Sequence, residues 1–222
     1  MKLYSGPLSM FGAKAEIAAH EKGIDFDLVM VPFAMKTLYQ PKHPEVLRIN
    51  PKRQVPVLVH GDLEIFDSTQ ILEYLETLKP EPALWPAEPK AKARARLLEH
   101  KSDEVYFPHI IRLMGLQATP DDPAAVEART AATAFYDEME RQLDGREWLA
   151  DSYSYADIAF YMAQLFGARM TAPMSEAHPR LQRWRDRMSA RPAVAKVAGA
   201  MARYLLSQNR PLPEFLVKVA SA

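Results

Sequence analysis

Residues 50–75 read NPKRQVPVLVHGDLEIFDSTQILEYL, and this stretch decides the fold class. Residues 55–59 and 63–66 are rich in apolar residues and predict two strands of one hairpin, since the residues between them are typical of a turn. Ser68 then begins a predicted helix. Its apolar residues repeat at the spacing of one helical face: Ile71, Leu72, Leu75 and Leu78. A hairpin followed at once by a helix indicates a domain that mixes sheet and helix.

The chain before this stretch completes the mixed domain. Residues 2–5 predict a first strand, residues 12–22 a helix, and residues 26–31 a second strand. Residues 32–53 are rich in proline and polar groups and are irregular or helical. The expected order over residues 1–79 is therefore strand, helix, strand, irregular or helical segment, strand, strand, helix.

Downstream, prolines at positions 80, 82, 86 and 89 indicate a linker over residues 80–88. The pattern over residues 89–222 is helical throughout, which predicts a second, all-helical domain. The predicted helices cover residues 89–116 (with a break expected near Pro108), 123–143, 154–170, a segment around 181–188, and 193–206. Ser154 and Asp157 occupy the N-cap and N3 positions of a capping box, so we expect the third of these helices to be central and buried.

The composition excludes several function classes. Among the 222 residues, 28 Lys and Arg balance 28 Asp and Glu, so the net charge is zero and a nucleic acid or an anionic membrane is not an expected partner. No cysteine is present, which excludes disulfides and a cysteine nucleophile. The histidines show no metal-binding spacing, so no metal is expected. The chain shows neither the apolar stretch of a secretory signal nor that of a membrane span, so we expect a cytoplasmic protein.

Four stretches together resemble the glutathione transferase superfamily. They are Leu3-Tyr4-Ser5-Gly6-Pro7-Leu8-Ser9, residues 50–56 with Val55-Pro56, the pair Asp67-Ser68, and Ser154-Tyr155-Ala156-Asp157. The resemblance implies an N-terminal thioredoxin-like domain, with a four-stranded mixed sheet and helices, followed by an all-α bundle. It also implies glutathione as co-substrate, an electrophilic second substrate and a homodimer.

Ser9 matches the catalytic serine of the serine-type classes, in particular the zeta class. A glutathione thiol has a pKa of about 8.5, and one charge-assisted hydrogen bond of about 1.5–3 kcal/mol would lower it by one to two units. The alternative interpretation is that Ser9 only caps the following helix. Ser5 is the second candidate for the activating hydroxyl. Met10 and Phe11 replace the serine and cysteine that follow in zeta members, which argues against zeta-specific isomerase chemistry.

The resemblance also implies a glutathione-binding set. Pro56 matches the family's cis-proline, which presents the backbone of Val55 to the peptide like an added strand; the alternative is an ordinary proline at a strand start. Ser68 would hold the γ-glutamyl carboxylate at a helix start, and Asp67 would pair with the ammonium group. The alternative interpretation, which is compatible with this role, is that the pair only caps the following helix. Gln54 is expected to contact the peptide. For the glycine carboxylate we expect Lys42 or His43.

The second-substrate site is expected between the two domains. On the first domain its predicted lining is Pro7, Leu8, Met10 and Phe11. On the second domain Tyr106 and His109 are candidate polar contacts. The alternative interpretation of these two residues is a core tyrosine and a solvent-facing histidine.

Three functions are compatible with these residues. The first is conjugation, in which the glutathione thiolate attacks an electrophilic small molecule. The second is glutathione-dependent ether or carbon–halogen cleavage, because residues 103–107 are similar to bacterial β-etherase-type members. The third is a non-catalytic module that binds a protein partner. Such members often lose the serine, the Val-Pro pair or the acidic-Ser pair, and this chain keeps all three, which favours an enzyme.

Overall fold

The computed structural model describes residues 1–220, which form two compact units. The first unit contains Met1–Ala83 together with the described residues from Pro192 onward, and the second contains Leu84–Arg191. The last two helices of the chain therefore belong to the unit that holds the sheet. The division into residues 1–79, 80–88 and 89–222 that the sequence suggests stays a prediction.

The sheet of the first unit has four strands: β1 (Lys2–Ser5), β2 (Asp27–Met30), β3 (Val57–His60) and β4 (Leu63–Phe66). Their order across the sheet is β2-β1-β3-β4. Strand β1 runs parallel to β2 and antiparallel to β3, and β3 pairs antiparallel with β4. This arrangement confirms the predicted four-stranded mixed sheet of a thioredoxin-like domain.

The helices follow in chain order. They are α1 (Met10–Glu21), α2 (Pro44–Ile49), α3 (Ser68–Leu78), α4 (Pro89–Lys101), α5 (Phe107–Gly115), α6 (Pro123–Gln142), α7 (Tyr155–Arg169), α8 (Pro179–Ser189), α9 (Pro192–Ser207) and α10 (Glu214–Ala220). Several begin with proline in the first turn, where its missing N–H removes no hydrogen bond. None of these helices in residues 1–220 has the length and apolar character needed to cross a membrane.

Helix α2 lies in the segment that the sequence predicts to be irregular or helical, and shows that part of this segment is helical. A π-helical turn at Ser102–Tyr106 separates α4 from α5, so the predicted long helix is broken close to Pro108, as expected. Helix α10 was not predicted.

Helix α1 is fastened to α3 and to the chain that follows α3. Lys22, at the end of α1, is fully buried, and its Nζ donates to Glu76 Oε2 at 3.0 Å and to the Pro82 carbonyl at 2.9 Å. A buried ammonium is stable only when such partners replace its hydration. This contact joins the C-terminal end of α1 to α3 and to the segment that follows α3.

The second unit is built around α7. The residues of α7 from Tyr155 to Gly167 are all buried, and the predicted capping box at its start is present. Asp157 Oδ2 accepts from the Ser154 N–H at 2.9 Å, and Asp157 Oδ1 accepts from Trp184 Nε1 at 2.9 Å. The carboxylate thus joins the start of α7 to α8, which makes α7 the central helix as predicted.

Candidate functional site

Strand pairing brings the predicted site segments to one end of the sheet. Tyr4 pairs with Val57, and Val57 pairs with Phe66. The end of β1, the start of β3 and the end of β4 therefore lie side by side. Ser5 pairs with Met30 in the parallel ladder, so β2 also ends here. Ser9 follows β1, Gln54–Pro56 precede β3, and Asp67 and Ser68 follow β4, so these predicted glutathione-site residues lie next to the strand ends. Lys42 lies further along the chain, between β2 and α2.

Ser9 begins helix α1. Its Oγ accepts from the Gly12 N–H at 2.9 Å, and its backbone is extended, as an N-cap requires. Ser9 is therefore the N-cap of α1. A hydroxyl has one donor and two acceptor lone pairs, so the cap leaves the hydroxyl hydrogen for another partner. Within residues 1–220 that hydrogen has no acceptor. Capping and donation to a thiolate are compatible at this residue.

Ser5, the second candidate for the activating hydroxyl, is fully buried. Its Oγ donates to the carboxylate of Glu16, on the second turn of α1. Gly12 passes directly over this pair, and a Cβ at Gly12 would lie 2.2 Å from Ser5 Oγ. The hydroxyl hydrogen of Ser5 is therefore used in a hydrogen bond within the unit, whereas the hydroxyl hydrogen of Ser9 is not.

The segment before β3 is held by Asn50, a buried residue whose contacts the sequence did not reveal. Its Nδ2 donates to the Gln54 carbonyl at 2.6 Å, and its Oδ1 accepts from the Lys52 N–H at 2.9 Å. The side chain of Gln54 is exposed. The Val55–Pro56 peptide bond is cis, as predicted. An asparagine that precedes a proline is typical of a turn, and this was the available sign of its role.

Asp67 and Ser68 stand at the start of α3. Asp67 is the N-cap, and its Oδ1 accepts from the Thr69 N–H at 3.0 Å and the Gln70 N–H at 3.3 Å. Asp67 has φ 77°, in the left-handed region that Asp and Asn tolerate better than most residues. Its second carboxylate oxygen takes no part in the cap. Helices α1 and α3 therefore both begin at this end of the sheet, and each start carries partial positive charge.

Lys42 and His43 precede α2. The Lys42 Nζ lies 5.9 Å from the centre of the Tyr39 ring. His43 is the N-cap of α2: its Nδ1 accepts from the Glu45 N–H at 3.2 Å, and its ring lies 5.1 Å from that of Tyr4. Of the two candidates for the glycine carboxylate, Lys42 therefore has the side chain that is not used in a helix cap.

Comparisons with known proteins agree with this geometry. Residues 3–83 match the family of glutathione S-transferase N-terminal domains, and residues 103–192 match the family of glutathione S-transferase C-terminal domains. Glutathione S-transferase 3 of Zea mays is 31% identical over 212 residues, which cover 90% of this chain and 94% of that protein. The chain belongs to the glutathione transferase superfamily.

Two further similarities bear on function within this superfamily. A glutathione S-transferase from Methylobacterium radiotolerans, solved in complex with glutathione sulfonate, is 28% identical with a TM-score of 0.74, over 88% of this chain and 93% of that one. A stringent starvation protein A homolog from Coxiella burnetii is 35% identical over 109 residues, 48% of this chain. That match spans about half of the Coxiella protein, 48% of its length.

The residues predicted to line the second-substrate site of this transferase-family chain are unequally accessible. Leu8 and Met10 are buried, whereas Phe11 is half-buried and lies 5.5 Å from Lys14 Nζ. In the second unit, His109 is half-buried. The structure thus gives Phe11 and His109 more surface for a substrate than Leu8 or Met10.

Tyr106 is enclosed in the core of the second unit. Its hydroxyl lies 2.5 Å from that of Tyr136, which donates to the Ala172 carbonyl at 2.7 Å. Burial raises the pKa of Tyr106 well above its usual value. These contacts match the alternative interpretation, a core tyrosine, and leave it no surface for a substrate.

Glu16 is the second residue that sequence reasoning missed. Its carboxyl is almost completely buried, and burial raises its pKa to about 7, against a smaller lowering by the Ser5 hydrogen bond and by Lys196. A glutamate within a helix of small apolar residues was the available sign, since an acid at such a position needs a partner. Its place between Ser5 and α9 makes it part of the surroundings of the loop before α1.

Proposed function

We propose that this chain is a glutathione transferase that binds glutathione at the end of the sheet where β1, β3 and β4 meet, and activates its thiol as the thiolate. The observation that carries the proposal is the strand register that gathers Ser9, Val55 and Ser68 at that end, beside the N-termini of α1 and α3. The glutathione sulfonate complex of the Methylobacterium relative supports the ligand.

Each part of glutathione has a proposed partner. The γ-glutamyl carboxylate is bound at the start of α3 by Ser68, and its ammonium group pairs with the carboxylate oxygen of Asp67 that the cap does not use. The cysteinyl backbone pairs with Val55, next to Pro56 and the exposed Gln54. Lys42 binds the glycine carboxylate.

The thiol is activated by Ser9. Its hydroxyl keeps the capping bond from Gly12 and donates its hydrogen to sulfur, which favours the thiolate. The N-terminus of α1 adds a further favourable charge. The thiol releases its proton to solvent, and the thiolate then attacks an electrophilic carbon of an apolar or aromatic small molecule. A carbon–sulfur bond forms as a leaving group departs, or as an activated double bond opens and takes up a proton from solvent. Cleavage of an ether or carbon–halogen bond is the alternative outcome of the same thiolate chemistry.

The test is a pH titration of the thiolate absorbance of bound glutathione in the ultraviolet. We expect Ser9→Ala to raise the bound thiol's pKa by about one to two units relative to wild type, with similar glutathione affinity. Ser9→Gly is the matched control for the cap, because glycine is nearly as good an N-cap as serine but has no hydroxyl. Both variants should lose the shift, whereas Ser5→Ala should keep it.

An unchanged thiol pKa in both Ser9 variants would assign the shift to backbone donors and leave Ser9 only its cap. A second candidate function is a module that binds a protein partner, and the similarity to the stringent starvation protein A homolog favours it. A wild-type chain that shows no glutathione binding would select this second function. The homodimer and the cytoplasmic location stay predictions.

A further inference from the structure

A cavity of about 210 Å³ lies in the first unit, between the loop after β1 and helix α9. Pro7, Met30, Met201 and Tyr204 contribute to a largely apolar wall. Glu16 contributes the one carboxyl group among the lining residues. Ala200 is exposed at the surface of α9, so the cavity is open to solvent on that side. None of the residues proposed to bind glutathione lines this cavity, and Pro7 is the one lining residue that the sequence also predicts for the second-substrate site.

The two carboxyl oxygens of Glu16 differ in their hydrogen bonding inside the unit. Its Oε1 accepts from the Ser5 hydroxyl, and within residues 1–220 its other oxygen has no hydrogen-bond donor. A buried carboxylate requires a compensating partner, and a carboxylate oxygen offers two lone pairs. The surroundings of Glu16 therefore leave one strong acceptor for a ligand at the cavity wall.

We propose that this cavity is a binding site for a small organic ammonium ion, with the charged nitrogen paired to Glu16 and one aromatic or aliphatic ring on the apolar wall. The site goes beyond the proposed transferase function and does not depend on glutathione binding. A cavity of about 150 Å³ accommodates benzene in other proteins, so about 210 Å³ suits a ring with a short amine side chain. Tyr204 and the two methionines supply aromatic and thioether surfaces that suit a cation and a ring.

The affinity of this site for an ammonium ion is expected to depend on pH through the ionisation of Glu16. Ser5 faces it from β1, the exposed Lys196 and Tyr204 lie on α9, and β2 contributes only Met30. His20 lies one turn further along α1, and burial, with a smaller effect of Lys196, lowers its pKa. Since burial raises the pKa of Glu16 to about 7, its ionised fraction rises roughly thirtyfold between about pH 5.5 and pH 8. The affinity for an ammonium ion should rise with it.

The test is a titration with benzylamine, followed by NMR of methionine methyl groups labelled with ¹³C. We expect the Met30 and Met201 signals to shift saturably, with an affinity about ten- to thirtyfold higher at pH 8 than at pH 5.5. Benzyl alcohol has the same ring without the charge, so it should bind more weakly and without this pH dependence. Assignment by Met30→Leu and Met201→Leu places the ligand in the cavity.

Glu16→Gln should weaken benzylamine binding at pH 8 about tenfold or more, because the glutamine oxygen still accepts from Ser5 but the ion pair is lost. Glu21→Gln removes a carboxylate from the same helix outside the cavity lining, and its affinity should equal wild type. Ala200→Phe narrows the open side and should weaken both ligands, without touching the Ser5–Glu16 pair. Equal affinities of wild type and Glu16→Gln for benzylamine, or unshifted Met30 and Met201 signals, would overturn the proposal.

Discussion

Replacing Asp157 by Asn tests how much the buried hydrogen bonds of this carboxylate contribute to the stability of the second unit. The fully buried carboxylate accepts from the Ser154 N–H at 2.9 Å, the Leu149 N–H at 3.0 Å and Trp184 Nε1 at 2.9 Å. An asparagine keeps one oxygen, which can serve Leu149 and Trp184, but turns an NH₂ group toward the Ser154 N–H. Leaving that donor without an acceptor should lower the free energy of unfolding by about 1–3 kcal/mol at pH 7.

The pH dependence of this loss has a definite sign. Burial raises the pKa of Asp157 from 3.8 to about 6, against the lowering effect of its hydrogen bonds. A raised pKa in the folded state stabilises the protein fully below the unfolded value, and this contribution disappears as the pH rises through about 6. At about 1.36 kcal/mol per pKa unit, the whole contribution is roughly 3 kcal/mol, of which roughly 2 kcal/mol is present at pH 4.5. Asparagine has no such contribution, so Asp157→Asn should cost roughly 2 kcal/mol more at pH 4.5 than at pH 7.

Urea unfolding followed by tryptophan fluorescence measures this difference. The three tryptophans, at positions 85, 148 and 184, all lie in the second unit, so the fluorescence reports on that unit. Asp122→Asn is the matched control: its Oδ1 caps the start of α6 at a half-buried position, and an amide oxygen can replace it. A gap between wild type and Asp157→Asn that stays level or narrows as the pH falls would refute the argument.

Two further substitutions test the first unit. Asp67→Asn should leave stability nearly unchanged, since the amide oxygen keeps the cap and asparagine tolerates φ 77°. Glutathione affinity, measured by calorimetry, should fall about tenfold because the negative charge is lost. An unchanged affinity would contradict the proposed role of Asp67. Gly12→Ala should lower stability to thermal unfolding by about 1–3 kcal/mol, because the new Cβ would lie 2.2 Å from Ser5 Oγ. This loss is expected although alanine is normally the better helix former. A stabilised variant would show that Ser5 has room to move.

The sequence predicts elements well where the pattern and the end signals agree. Strand β4 has the predicted bounds and helix α3 begins at the predicted residue, because the hairpin turn marks the start of β4 and Asp67–Ser68 marks the boundary between β4 and α3. Helix α1 begins at Met10, two residues before the predicted start, because its cap is defined by the bond from Gly12 to Ser9 and not by apolar spacing. The short α2 and the π-helical turn at Ser102–Tyr106 contain too few residues to show a period of their own.

The features of the candidate site also differ in how far the sequence predicts them. The caps at Ser9 and Asp67 depend on local sequence and could be predicted from a few neighbouring residues, whereas the cis bond before Pro56 is implied by the resemblance to the family. The contact of Ser5 with Glu16 joins a strand to a helix, and the spacing of eleven residues between them carries no pattern. Such a contact follows from how α1 packs on β1, which the sequence alone does not specify.

The pair of serines near the start of α1 shows how packing can distinguish two hydroxyls that the sequence offers as candidates for one role. Both hydroxyls follow or end the first strand, and both are candidates from position alone. Because Gly12 lacks a Cβ, Ser5 fits beneath α1 and gives its hydrogen to Glu16, while the Gly12 N–H is satisfied by Ser9. The Gly12 N–H therefore occupies one lone pair of the Ser9 hydroxyl oxygen and leaves the Ser9 hydroxyl hydrogen available, as donation to a thiolate requires.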